Sequence, residues 1–138
     1  EISRSLDDLC ECLRSQVDTF LKRAAPELGF SMIVVDTLRT PKEQSENIAK
    51  RVSFTTQSKH LPQPVCKKSH AVDVVPKHLS IRKRWDPESP DWLRLGLVGE
   101  GCNLRWGGRW AGKFHREGDP KSSEPDCPHF DVQVTHPA

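Results

Sequence analysis

The sequence predicts an α+β fold, a small antiparallel sheet flanked by helices, and three observations carry that prediction. The first segment has a helical period, three later runs have the length and composition of strands, and the elements follow in the order helix, strand, helix, loop, strand, helix, strands. A chain of 138 residues suits one domain spanning 1–138, large enough to bury a hydrophobic core. With 35% apolar and 29% charged residues, and clusters of aliphatic residues and Trp, the composition is that of a globular protein rather than a disordered one. A net charge of +2 gives no strong argument for nucleic acid, and it would not repel an anionic polymer. No run approaches the roughly 18 apolar residues of a membrane span. Nor does a basic start lead into an apolar signal core.

Leu6, Leu9, Leu13, Val17, Phe20 and Ala24 recur at three or four residues and predict the first helix. Ser3 or Ser5 can cap it, Asp7 and Asp8 suit its positive end, and Pro26 and Gly29 are expected to stop it. FSMIVVD (30–36) is short and β-branched, a core strand. Thr40, Pro41 and Glu43 form a capping signal for a helix running to about Lys50, with Ile48 and Ala49 inward. Residues 51–69 read as a loop, AVDVV (71–75) as a strand closed by Pro76, and 77–91 as surface. A short helix should open at Ser89-Pro90-Asp91 and close near Gly99. LRW (104–106) is a strand candidate, 111–125 a loop, and HFDVQV (129–134) the last strand.

The five cysteines are odd in number, which argues against a fully paired disulfide framework, and no close CxxC pair suggests a zinc knuckle. Cys10 and Cys12 are two apart, which on a helix puts them on different faces. Cys127 is expected to point away from His129.

Three residues at the edges of strand candidates carry the chemistry: His60, Asp73 and His129. Two imidazoles and a carboxylate are a common ligand set for catalytic zinc, and three protein ligands leave the fourth position open. Asp126 lies three residues before His129, with Pro128 fixing the backbone between them. A carboxylate there could take a proton from water and pass it to a leaving amine. Dispersed spacing alone is weak support, because a chain with six His offers many such triples.

The motifs are more specific than the spacing. SKHLPQPVCKKSHAVD (58–73) resembles the SxHxxGxAxD motif of the zinc D-Ala-D-Ala carboxypeptidase and L-alanyl-D-glutamate endopeptidase family, which includes VanY-type enzymes and phage endolysins. DCPHFD (126–131) is similar to that family's second metal motif. LRTPKEQ (38–44) resembles its RT…Q segment, and NLRWGGRW (103–110) its LRWGGDW-like stretch. The resemblance implies a fold like that of hedgehog domains and D-Ala-D-Ala carboxypeptidases, with Zn2+ held by His60, Asp73 and His129. It implies Asp126 as catalytic base and then acid. Arg39, from a strand edge, would face the scissile carbonyl and stabilise the oxyanion. Gln44 would brace the site or be a solvated helix residue.

This chain departs from the motif in two places. Asp73 follows His60 by thirteen residues instead of the motif's seven, and the extra segment within 61–68 either forms a rim or alters substrate access. Ser69 replaces a Gly, at a cost if that position requires positive φ. His70 offers a competing ligand, but in an extended chain it points to the face opposite Asp73. Arg109, in the place of an acidic residue or Asn, could pair with a substrate carboxylate or be a solvated turn residue. Trp106 and Trp110 could pack or form a cleft wall. His115 could lie near the cleft, whereas His78 and His136 read as surface residues.

The resemblance therefore implies a zinc metallopeptidase of bacterial peptidoglycan, an endolysin cutting L-Ala–D-Glu in the stem peptide. Such an enzyme would be monomeric, made in the bacterial host cytoplasm without a signal peptide, and active at the cell wall or periplasm. Two alternatives stay open: a D,D-carboxypeptidase removing terminal D-Ala, and a non-catalytic zinc-binding module of the hedgehog kind. A binder of nucleic acid or anionic polymer built on the basic stretch 77–84 is a poorer reading.

Overall fold

The computed structural model describes residues 3–49, 59–63, 66–80, 88–119, 121 and 125–132. The expected residues Ser58, Arg82 to Arg84, Glu124, Gln133, Val134 and His136 lie outside these, as does the side chain of Ile48.

Helix α1 spans Glu11–Leu28 and buries Leu13, Val17, Phe20 and Ala24, the stripe its period predicts. It starts later than expected. Leu6–Asp8 is a single 3-10 turn capped by the Ser5 hydroxyl, and Cys10 is extended at the helix N-cap. The cause is a competing partner: Leu9 bridges in parallel with Ser69, with Cys10 N–H donating to the Ser69 carbonyl at 2.8 Å. Pro26 does not stop the helix. Its ring forgoes one backbone bond near the last turn, and Gly29, at φ 79, ends the helix two residues later.

Strands β1 (Met32–Asp36), β2 (Ala71–Pro76), β3 (Arg105–Trp106) and β4 (His129–Asp131) form one antiparallel sheet in the order β1-β2-β4-β3. Helix α2 is Pro41–Ala49, α3 is Lys77–Ser80 and α4 is Asp91–Gly101. Two expectations fail here: Ala49 is exposed, and Leu79, in the stretch read as surface, is buried. Helices α1 and α4 cover one sheet face. Phe20 meets Phe130 with ring centroids 4.7 Å apart. A Cβ on Gly99 would stand 2.3 Å from the Phe130 ring, so the missing side chain is what lets α4 approach the sheet.

Period-two alternation fixes the other face. Val72 pairs with Phe130, and Phe130 with Trp106, all buried in the core. Their neighbours point the other way. Asp36, Asp73 and His129 sit side by side across β1, β2 and β4, and Asp131 lies opposite Arg105 one step along. One face of the sheet is therefore apolar, and the other carries carboxylates, imidazoles and arginine.

Candidate metal centre and catalytic site

Asp73 and His129 face each other across the β2–β4 ladder, and the loop leading to β2 brings His60 to them. That loop is anchored at its base, where the Arg39 N–H donates to the His60 carbonyl at 2.7 Å and the His70 N–H to the Lys59 carbonyl at 2.9 Å. His60 Nε2 lies 3.0 Å from Asp73 Oδ1, and His129 Nδ1 lies 3.5 Å from the same oxygen. One ligand atom from each residue thus falls within 4.8 Å of the others. His60 and His129 are buried, and their rings meet edge to face at 5.2 Å.

The remaining ring nitrogens are already committed. His60 Nδ1 is 2.7 Å from the Thr37 carbonyl, an acceptor only, so this nitrogen donates and Nε2 is the one turned to Asp73. His129 Nε2 is 2.7 Å from Asp131 Oδ2, which leaves Nδ1 facing Asp73. Arg105 holds Asp131 through two bonds of 2.6 and 3.1 Å. Fixing the outer nitrogen of a histidine in this way is how metal sites set tautomer and ring orientation.

The field of the site favours a cation. Burial alone would push the Asp73 carboxyl up, but His60 and His129 outweigh it and hold it well below the usual carboxylate range. Burial would lower His129, yet its bonds to Asp131 and Asp73 lift it to about 10. Donor types, convergence and charge all fit a zinc ion.

Asp126 stands at the edge of this group, its Oδ2 3.9 Å from His129 Nδ1 and its side chain half-exposed. Desolvation, then the charge of Asp73, push its carboxyl up to about 6. The turn that places it depends on Gly107. The Asp126 N–H donates to the Gly107 carbonyl at 2.9 Å, and a Cβ on Gly107 would come within 2.4 Å of the Asp126 carbonyl oxygen.

Arg39 lies three residues past β1 and is nearly buried. Asp36 and Gln44 accept hydrogen bonds from its two terminal nitrogens. Gln44 is buried and braces this arginine, so it is not a solvated helix residue. Asp36 sits across from Asp73 on the same sheet face, and its own carboxyl is raised by burial and the charge of Asp73 despite His60 and Arg39.

Other expected residues have different places. His70 does not join the triad; its Nε2 is 3.5 Å from Cys66 Sγ. Ser69 is buried, is not among the positive-φ residues, and donates through its hydroxyl to the Ala71 carbonyl at 2.7 Å, so the replaced Gly brings no strain. Arg109 is not a solvated turn residue: it forms a two-pronged pair with Glu100 at 2.8 and 3.0 Å and lies over the Trp106 ring. Trp106 is a packing residue whose Nε1 donates to the Cys127 carbonyl. Trp110 is half-buried and leans against His129 with ring centroids 4.7 Å apart and planes tilted by 50°, a wall of the site. A cavity of about 240 Å³ opens beside it, lined in part by Trp110, Arg105, Arg116 and Asp119. His78 is an exposed residue paired with Asp91. Sequence reasoning gave no role to Asp131, Thr37, Asp36 or Arg105. Asp131 stood inside the DCPHFD motif, and that was the available signal.

Among curated protein sequences, none matches this chain. The solved structures that match include the Serratia marcescens L-Ala D-Glu endopeptidase ChiX. It is 22% identical, covers 96% of this chain and 89% of its own, and has a TM-score of 0.63, which supports the α+β fold. The family model for phage L-alanyl-D-glutamate peptidases matches residues 2–133. A match over the whole described sheet places this chain in the phage L-alanyl-D-glutamate peptidase family.

Proposed function

We propose that this peptidase hydrolyses the L-Ala–D-Glu bond of peptidoglycan stem peptides with one zinc ion held by His60 Nε2, Asp73 and His129 Nδ1. The convergence of these three atoms, with each outer imidazole nitrogen already bonded, is the observation that carries the reading. When bound, zinc supplies a Lewis acid that polarises the peptide carbonyl and makes water more acidic.

The chain's own residues do the rest. The Asp126 carboxylate, raised towards neutrality yet largely ionised at pH 7, accepts the proton of the attacking water and returns it to the departing nitrogen of D-Glu. Arg39, fixed by Asp36 and Gln44, brings positive charge to the carbonyl oxygen as it becomes an oxyanion. Trp110 shields one side of His129 and narrows the approach of water.

Family membership favours endopeptidase action over removal of terminal D-Ala, and a peptidase over a non-catalytic module. No helix among the described residues is long and apolar enough to cross a membrane. Action at the cell wall follows from the substrate. Synthesis in the bacterial host cytoplasm, a monomeric state and one peptidase domain within 1–138 complete the proposal.

Digestion of defined muropeptides, with the new ends identified by mass, tests it. Wild-type protein should release fragments with a new D-Glu amino end. Asp126→Ala should lose about 10²–10⁴-fold in rate while keeping its zinc content and melting temperature. Equal products and rates from both proteins would refute the role of Asp126, and release of free D-Ala alone would refute the bond assignment.

A further inference from the structure

A second group of metal-ligating side chains lies outside the site described above. Ligand atoms of Cys10, Cys12 and His70 all fall within 4.8 Å of one another. Cys66 Sγ is 3.5 Å from His70 Nε2, and the Cys66 thiol also meets that of Cys10. Sequence spacing concealed this group. Cys10 and Cys12 were expected on different helix faces, but Cys10 is the extended N-cap residue and only Cys12 is helical, so the face rule does not apply to the pair.

The backbone sets these ligands in place. Ser69 N–H donates to the Asp8 carbonyl and Cys10 N–H to that of Ser69, which holds the start of α1 beside His70. Lys67, in the left-handed region at φ 58, turns the chain back so that Lys67 N–H reaches the Gln63 carbonyl and Gln63 N–H that of Lys68. This turn belongs to the lengthened 61–68 segment and delivers Cys66. Lys68 Nζ adds a bond to the Asp7 carbonyl at 3.0 Å.

Two plainer readings fit less well. Buried thiols often serve as small apolar residues, but packing does not require two thiols and an imidazole to converge with a third thiol beside them. A disulfide would use two of the three sulfurs, leave the third over and give the imidazole no part, and no disulfide joins any of the five cysteines here.

We propose that Cys10, Cys12, Cys66 and His70 form a structural zinc site of the Cys3His type, distinct from the His60–Asp73–His129 centre. Four protein ligands leave no open position, which suits structure rather than catalysis. Thiolates select zinc over magnesium or calcium. The site gives the added segment a purpose: it ties the N-terminal segment, the lengthened loop that also carries His60 and the entry to β2 together.

Cobalt substitution of the full-length protein tests this without relying on activity. A thiolate-to-cobalt charge-transfer band should appear in the wild type, persist in His129→Ala and be lost in Cys66→Ser. Zinc-loaded wild type should carry two ions per chain by elemental analysis, and Cys66→Ser one. Protein purified without reductant, then denatured with chelator, should titrate five thiols. Absence of the thiolate band in wild type would overturn the site, and a titre of three thiols would show a disulfide in its place. Both wild-type readouts decide the matter even if Cys66→Ser does not fold. A thiolate band in a protein that cleaves no muropeptide would leave this site standing and count only against the peptidase chemistry.

Discussion

His129 shows how much of the site depends on residues beyond the ligands. Its Nδ1 faces Asp73 only because Asp131, buried and clamped by Arg105, holds Nε2. Asp131→Asn keeps the shape but weakens that acceptor, and zinc affinity should fall about 10–100-fold in a chelator competition; unchanged affinity would deny Asp131 this role. Gly107→Ala forces the Asp126 turn to move, because a Cβ cannot stand 2.4 Å from a carbonyl oxygen. Cleavage should drop at least about tenfold and stability by about 1–3 kcal/mol, read by kinetics and urea denaturation. Wild-type behaviour would mean the turn is looser than its contacts imply. At this scale the motifs pointed to His60, Asp73, His129 and Asp126, side chains that the fold brings together. They did not display Glu100 as the partner of Arg109, nine residues earlier and on a different element, because such pairing is a product of tertiary folding.

Elements were legible where local signals were strong and unopposed. The apolar stripe of α1 was read correctly from Leu13 to Ala24. Its start was not, because Ser69, far along the chain, captures the backbone of Leu9 and Cys10. The cap of α2 was fully written in Thr40 and Glu43: Thr40 N–H donates to the Glu43 carboxylate at 2.9 Å, and Glu43 N–H to the Thr40 hydroxyl at 3.1 Å. The first of these bonds, donated by the Thr40 backbone, is the main reason the Glu43 carboxyl lies below its ordinary value. A lowered folded-state pKa stabilises above the unfolded value and is lost as pH falls through the folded one. Glu43→Ala, which removes the carboxylate that accepts this bond, should therefore destabilise the protein at neutral pH, with the difference from wild type shrinking in acid below the ordinary range of Glu. A pH-independent difference in denaturant midpoints would contradict this account of the cap.

For the molecule as a whole, the α+β class and the antiparallel sheet followed from element order, whereas the two-faced character of that sheet did not. β3 and β4 are only two and three residues long, too short for alternation to be read reliably from composition. Their register is what gathers Asp36, Asp73, His129 and Asp131 on one face and packs Val72 and Phe130 against α1 and α4 on the other. Because the ligands come from separate strands and a loop, metal binding should couple to global stability. At a free zinc concentration 100 times Kd, one site contributes about 2.7 kcal/mol, so chelation should lower the melting temperature measurably and zinc should restore it. A melting temperature indifferent to chelator would mean the ligands hold no metal in the folded state.

The most direct measurement is an anomalous difference map of the zinc-loaded crystal, with data collected on both sides of the zinc absorption edge. A peak bounded by His60 Nε2, the Asp73 carboxylate and His129 Nδ1, with Asp126 beside it, is the predicted result. A map without density between those three side chains, or with the two imidazoles turned apart, would contradict the account.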